Sequence, residues 1–352
     1  RPAVPQANIL RPFPIPLLYK NNPNLTFQYP RENAKFYLLY SMNAFIVNLN
    51  LSVDKTALVP AFEKGRIFRL GGTITLPGGK GVNVARALRS LGVESPVAGF
   101  ASGYNGRWIA ESLKKEGFLA FIQRHSAGES RVCYTIVDSR GVTTDLNEEG
   151  PPVPAAAQAA FLKKFSALAS RFKTAAVCGR VSAGLKKGFY SSLVKLASAR
   201  GCFTVFDTSG PALSEALSAG AEGIKINRFE FEELSGGAFS PTRVAAFFAK
   251  NSGGGLKTLI VTGGAGPTYA ASPFGLWRID PPVLPGLKSA VGAGDSFMAG
   301  FLFGFLNGYD FGRTLKLAAG AAASDCLSLG AGFIDREQAL SYASKARVEK
   351  IG

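Results

Sequence analysis

Gly292-Ala293-Gly294-Asp295-Ser296-Phe297-Met298-Ala299-Gly300-Phe301 is the stretch on which the reading of this chain turns. Two glycines and an alanine run directly into a segment whose apolar positions include Phe297, Phe301 and Phe305, which predicts a helix beginning at the glycines. Such a start leaves unpaired backbone N–H groups at a helix N-terminus, where they can meet an anion. Asp295 stands at the same point, and taken alone it reads as an N-cap as readily as a chemical group.

Around this stretch the chain alternates short β-rich runs with helical patterns. Ala44 to Leu49, Ala175 to Cys178, Cys202 to Phe206 and Thr258 to Thr262 are continuous apolar runs, the pattern of strands covered on both faces. Between the first two, Val82, Ala85, Leu88 and Leu91 recur every three residues after Pro77-Gly78-Gly79, and Gly92 follows where a C′ glycine belongs. Strands alternating with helices predict a mostly parallel sheet with helices on both faces. Two stretches break the rhythm, Asp54 to Leu76 and Ala120 to Val137; their alternating, half-polar character predicts a small antiparallel lid sheet, with strands from about 54–77 and 120–137.

Composition narrows the function classes. At 352 residues, 47% hydrophobic and 18% charged, the chain can bury a large core. The formal charge of +16 is scattered in ones and twos (Lys114-Lys115, Lys163-Lys164, Lys186-Lys187) with no basic run, so a nucleic-acid partner is not expected and small anionic substrates are. A single histidine, His125, and no GxSxG pattern exclude a zinc hydrolase and a Ser-His-Asp hydrolase. Cys133, Cys178, Cys202 and Cys326 form no CxxC pair and read as buried free thiols of a cytoplasmic protein. No apolar run is long enough to span a membrane. Residues 1–41 hold seven of the 20 prolines and five basic residues against one acid, and are expected to be an extension ahead of a working unit at 42–352.

Phosphate loops of two common kinds are absent. Gly79-Lys80 is followed by Gly81 and not by Ser or Thr, which excludes a Walker A loop, and neither Gly264-Ala265-Gly266 nor Gly292-Ala293-Gly294 acquires the third glycine of a dinucleotide fingerprint.

The 292–301 stretch resembles the C-terminal signature of the ribokinase-like (PfkB) carbohydrate kinases, and Pro77-Gly78-Gly79-Lys80-Gly81-Val82-Asn83-Val84-Ala85 resembles the N-terminal glycine signature of the same family. The resemblance covers nearly all of 42–352 and is nearest to the 1-phosphofructokinase and tagatose-6-phosphate kinase group. It implies an α/β ribokinase-like fold with a β lid and an ATP- and Mg²⁺-dependent kinase acting on a sugar phosphate. It also implies roles residue by residue: Asp295 as catalytic base with Gly292, Ala293 and Gly294 as the anion hole; Asp54, Gly78, Gly79, Lys80, Asn83 and Arg131 toward the sugar; Lys225, Thr262, Gly263, Gly264 and Gly266 toward the nucleotide; Asn227 and Glu230 toward the metal. A homodimer formed through the lid is a further expectation. Asp207-Thr208-Ser209-Gly210 matches another motif of the group, to which no role is attached.

The sequence departs from the family at Leu51-Ser52-Val53, Lys225-Ile226-Asn227 and Gly179-Arg180-Val181-Ser182; the first and third lie near the expected sugar pocket and bear on substrate choice. A ribokinase- or nucleoside-kinase-like enzyme taking an unphosphorylated acceptor, and a catalytically silent sugar-phosphate sensor, are the alternatives. Independently of any family, phosphoryl transfer to a hydroxyl needs stabilised equatorial oxygens, a metal on the phosphates and an aligned base. The amides of 292–295, the Asn227/Glu230 pair and Asp295 are of the right types, although in isolation Asn227 reads equally well as a turn residue and Glu230 as a solvated helix residue.

Overall fold

The computed structural model describes residues 44–352, so the 1–41 extension and Met42 lie outside the described residues. In chain order the elements are β1 (Ala44–Asn48), β2 (Ser52–Val59), β3 (Ile74–Gly78), α1 (Lys80–Ser90), β4 (Val97–Ser102), α2 (Gly103–Lys115), β5 (Ala120–His125), β6 (Val132–Asp138), β7 (Thr143–Asn147), α3 (Ala155–Ala169), β8 (Thr174–Cys178), α4 (Phe189–Ser198), β9 (Phe203–Asp207) and α5 (Gly210–Ser218). There follow β10 (Gly223–Asn227), α6 (Arg228–Ser235), α7 (Pro241–Ser252), β11 (Thr258–Thr262), β12 (Thr268–Ser272), β13 (Gly275–Asp280), α8 (Ala293–Leu306), α9 (Phe311–Asp325), α10 (Arg336–Lys345) and β14 (Arg347–Lys350).

The four apolar runs all become interior strands of one ten-stranded sheet, ordered β14-β13-β12-β11-β10-β9-β8-β1-β4-β5. From β11 to β5 every pair is parallel, while β12, β13 and β14 continue the sheet antiparallel. The reason for their unbroken hydrophobicity is visible in β1. Phe45 and Val47 pack into a cluster with Phe161, Phe165 and Leu193, whereas Ile46 between them joins Val82, Leu88 and Phe301 on the other face. Helices therefore cover both sides, as the pattern requires.

The second cluster contains the helix predicted from Phe297. α8 is buried at Phe297, Met298, Phe301 and Leu302 and lies against α9 so closely that a Cβ on Gly300 would come within 2.5 Å of the Leu317 carbonyl oxygen. The α1 prediction also holds, from Lys80 to Ser90 with Gly92 at φ 91° behind the C-cap Leu91. Among the described residues no helix is long and apolar enough to cross a membrane.

The lid differs in extent from the expectation. It is a four-stranded sheet, β3-β2-β6-β7, with β2 and β6 parallel and its outer pairs antiparallel. Ala120–His125 does not belong to it; β5 is the edge of the large sheet, parallel to β4. An edge strand covered on only part of its surface has the same mixed polarity as a lid strand, and that is why the sequence pattern confused them. Residues 60–73, including the alternating Arg66 to Leu70, form no strand, and the fourth lid strand is the polar Thr143–Asn147, which carries no apolar alternation. Replacing Gly300 by Ala is expected to lower stability by about 1–3 kcal/mol, the usual cost of an extra methyl in a filled contact, measured by urea denaturation; an unchanged midpoint would mean that α8 and α9 can separate without cost.

Candidate active site

Parallel strands deliver their C-terminal ends to one edge of the sheet, and in open α/β sheets ligands bind at that edge. Here β1 ends at Asn48, β9 at Asp207, β10 at Asn227 and β11 at Thr262, while α1, α6 and α8 begin beside them.

At the start of α8, Gly292 is the N-cap with φ 93°, a conformation that excludes other residues, and its position allows no Cβ because Ala331 and the Asp325 carboxylate stand within 2.7 Å of where it would lie. Asp295 is in the first turn and only 6% exposed. It is no N-cap. Asn83, one turn into α1, donates from Nδ2 to Asp295 Oδ2 at 2.8 Å, joining the two glycine signatures across 212 residues of sequence. Burial pushes the Asp295 carboxyl up to about 6; the nearby Lys80 and Lys225 and the Asn83 hydrogen bond pull it down, and Asp207 pushes it up.

The charged centre is Asp207, whose side chain is fully buried at the end of β9. Its Oδ2 accepts from Lys225 Nζ at 2.8 Å and its Oδ1 from Lys80 Nζ at 3.2 Å. Burial alone would raise its pKa, but the two ammonium groups outweigh burial and hold it below the ordinary carboxylate value. Lys80 is correspondingly raised, with Asp207 as the largest cause. Lys225 Nζ also lies 3.0 Å from the place a Cβ on Gly294 would take, so this ammonium abuts the loop at the mouth of α8. Lys80 Nζ is 3.9 Å from Glu230 Oε1. Expected at the sugar, Lys80 thus turns toward the interior carboxylates.

Asn227 and Glu230 form a capping box on α6. Asn227 Oδ1 accepts from the backbone N–H groups of Phe229 and Glu230, and Glu230 Oε2 accepts from Asn227 N at 2.9 Å. Asn227, expected toward the metal, thus has its oxygen engaged by two amides, while Glu230 keeps Oε1 outside the capping bonds, 3.9 Å from Lys80 Nζ. Among the described residues no cluster of three or more His, Cys, Asp or Glu is placed to hold a metal ion. Thr262 lies beside Asn227 in register, and Gly263, Gly264 and Gly266 form the turn that follows, so these residues, expected toward the nucleotide, share one strip of the edge.

On the lid side, Asp54 in β2 accepts from Ser52 Oγ at 2.6 Å and from Gly79 N at 3.3 Å. A Cβ on Gly78 would collide with the Asp54 carboxylate, which shows how closely the lid carboxylate rests on the glycine loop. Arg131 immediately precedes β6, its carbonyl accepting from Val53 N and its Nε donating to the Asn50 carbonyl at 3.3 Å. Hydrogen bonds therefore join Asp54 to Gly79 on the lid side and Asn83 to Asp295 at α8, while Lys225 and Glu230 stand against Asp207 and Lys80 beside them.

Sequence reasoning placed Asp207 in a family motif without giving it a role, although an acid closing an apolar strand was a signal; it missed Asn48, which accepts from Gly81 N at 3.2 Å and holds the start of α1. It also missed Asp325, at the end of α9, whose carboxyl burial and the neighbouring Asp295 push up to about 8 while Gly332 N donates to it at 2.9 Å.

The fold and this edge define an α/β carbohydrate kinase. The profile of the pfkB family carbohydrate kinases matches residues 48–338, and the chain belongs to that family. A 1-phosphofructokinase of Rhodobacter capsulatus is 34% identical over 279 residues, 77% of this chain and 86% of that protein. A 1-phosphofructokinase of Escherichia coli K12 is 28% identical over 295 residues, 83% and 93% of the two chains. Among solved structures, phosphofructokinase-2 from Escherichia coli in complex with substrates and products superposes with a TM-score of 0.80 at 20% identity, covering 86% of this chain and 99% of that one. Arabidopsis thaliana ribokinase with ribose and ATP gives 0.67 at 17% identity, covering 86% and 98%.

Replacing Asp207 by Asn is expected to destabilise the protein by about 3–5 kcal/mol, because it leaves the buried Lys225 ammonium, with the part-exposed Lys80 beside it, without a counter-charge. Chemical denaturation at neutral pH measures this, and a loss below about 1 kcal/mol, the scale of an exposed ion pair, would refute the assignment.

Proposed function

We propose that this chain transfers the γ-phosphoryl group of ATP to a hydroxyl of a sugar phosphate, in the manner its 1-phosphofructokinase relatives are named for. The observation that carries the reading is Asp295: a buried carboxylate at the N-terminus of α8, beside Asn83 and within the field of Lys80 and Lys225. With its carboxyl near 6, Asp295 is ionised at neutral pH and still basic enough to take the proton of an acceptor hydroxyl as that oxygen attacks phosphorus. The Ala293 N–H donates to the Ala290 carbonyl at 3.3 Å, so of the three expected anion-hole amides it is those of Gly292 and Gly294, at the start of α8, that would serve the phosphoryl oxygens, and Lys225 adds fixed positive charge there. Asp54, Gly78, Gly79 and Asn83 hold the sugar, Thr262, Gly263, Gly264 and Gly266 flank the nucleotide, and the kinase unit extends over 42–352.

Glu230 fits Mg²⁺ bound chiefly by phosphate oxygens and water, which asks for one or two protein carboxylates. Mg²⁺ so bound would neutralise charge on the phosphates; Glu230, locked in its rotamer by the Asn227 capping bond, would help hold it.

A phosphate on the acceptor needs a cation at the sugar end. Lys80 is occupied by Asp207, so Arg131 takes that part, its Nε tied to Asn50 and its Nη groups making no hydrogen bond to the described residues. The lid face that carries Asp54 continues into exposed Leu58 and Ile74, 56% and 44% accessible, and a second copy of the chain would cover them. A cytoplasmic location agrees with this activity and with three buried free cysteines and a fourth half-buried one.

ATP consumption measured against fructose 1-phosphate, fructose 6-phosphate, tagatose 6-phosphate, ribose, fructose and adenosine tests the proposal. A phosphosugar is expected to give the highest kcat/KM, and Arg131→Ala to raise its KM about 10-fold or more, the scale of one charge-assisted hydrogen bond. Asp295→Asn is expected to lower kcat about 10²–10⁴-fold. Preference for an unphosphorylated acceptor would overturn the substrate assignment, and full turnover in Asp295→Asn would overturn the mechanism.

A further inference from the structure

Behind Asn83 lies a buried charge that the transfer scheme leaves unused. Arg86, in the next position on α1 that faces the same way, is 7% exposed and makes four hydrogen bonds in the interior. Its Nε and Nη2 grip the two oxygens of Glu116 at 2.9 and 3.2 Å, Nη2 also donates to the Pro77 carbonyl at 2.8 Å, and Nη1 donates to Asn83 Oδ1 at 3.3 Å. The guanidinium carbon stands 5.1 Å from the centre of the Phe333 ring. Glu116 is the C-cap of α2, so the Arg86 side chain is fixed from two helices and one aromatic face.

A guanidinium has donors only. The Asn83 atom that faces it must therefore be the carbonyl oxygen, and this turns Nδ2 toward Asp295, where it donates at 2.8 Å. The Asp295 carboxylate favours the same orientation from its own side, so the amide is held between an acceptor and a donor; without Arg86 its oxygen loses that donor and the amide is held from the Asp295 side alone. The same guanidinium holds Pro77, the residue before Gly78 and Gly79, so the sugar loop and the Asn83 amide share one anchor.

We propose that Arg86, braced by Glu116, is a positioning residue of the transfer step: it sets the Asn83 amide so that Asp295 is kept ionised and aimed. The inference rests on the reading of Asp295 as the base. Other charged groups facing Asp295 are Lys80 on α1, Asp207 on β9, Lys225 on β10 and Asp325 on α9, and none of these hydrogen-bonds to Arg86.

The test is the pH profile of kcat/KM in the full chain for Arg86→Met, Asn83→Ala and the double variant, with folding followed by circular dichroism. Loss of a hydrogen bond to the ionised carboxylate is expected to move the acid limb up by about one pH unit in Arg86→Met. In the Asn83→Ala background the same substitution is expected to add less than about 0.3 unit. Glu116→Gln, which loosens Arg86 while keeping its own shape, is expected to move the limb in the same direction by a smaller amount, and it carries the test should Arg86→Met fail to fold. An unmoved acid limb with reduced kcat, or an equal shift in the presence and absence of Asn83, would overturn the proposal by showing a structural or purely coulombic role. Failure of the underlying reading is separately visible, since Asp295→Asn would then retain turnover and the wild-type acid limb.

Discussion

One buried carboxylate, Asp207, organises the charge at the edge of the sheet. Two lysines from distant parts of the chain, Lys80 at the start of α1 and Lys225 in β10, reach the same acid from opposite sides, one to each oxygen. Asp207 supplies the counter-charge for the buried Lys225 and the part-exposed Lys80, beside a site suited to phosphate. The pairing also fixes geometry. Lys225 is held against Gly294 at the mouth of α8, and Lys80 is held at the point where α1 begins, which places Asn83 one turn further on against Asp295.

What surrounds this centre costs stability in exchange for chemistry. Asp295 has a folded pKa near 6 against an ordinary 3.8, so the folded state binds more protons over that interval and stability falls as pH rises through it. Asp325, raised to about 8, acts in the same sense over a wider interval. Asp207 acts oppositely: its depressed pKa contributes stability that is present at neutral pH and lost as the medium becomes acidic. The two-faced core around β1, with Phe45 and Val47 on one side and Ile46 on the other, supplies the rigidity that lets unfavourably placed carboxyls persist.

Much of this was legible in the sequence because it depends on local pattern. Buried parallel strands show as unbroken apolar runs, α1 as a three-residue repeat closed by Gly92, and the mouth of α8 as glycines leading into Phe297. The parts that escaped depend on partners far away in the chain. Asp207 stood in a recognised motif but takes a role only through Lys80 and Lys225, and Arg86, which no motif marked, only through Glu116, Pro77 and Asn83. Asn227, expected by motif toward the metal, also caps its own helix, whose backbone amides bond to its oxygen. The lid was found in outline and misplaced in detail, since β5 and the lid strands share the same partial burial.

The most direct measurement is an NMR titration of the Asp295 carboxyl carbon in the wild-type chain and in Asp207→Asn. If Asp207 is the ionised hub described here, the wild-type midpoint lies near 6 and removal of this negative neighbour moves it down, as the coulombic push of Asp207 on Asp295 requires. An identical midpoint in both proteins, or a wild-type value at the ordinary 3.8, would contradict the account.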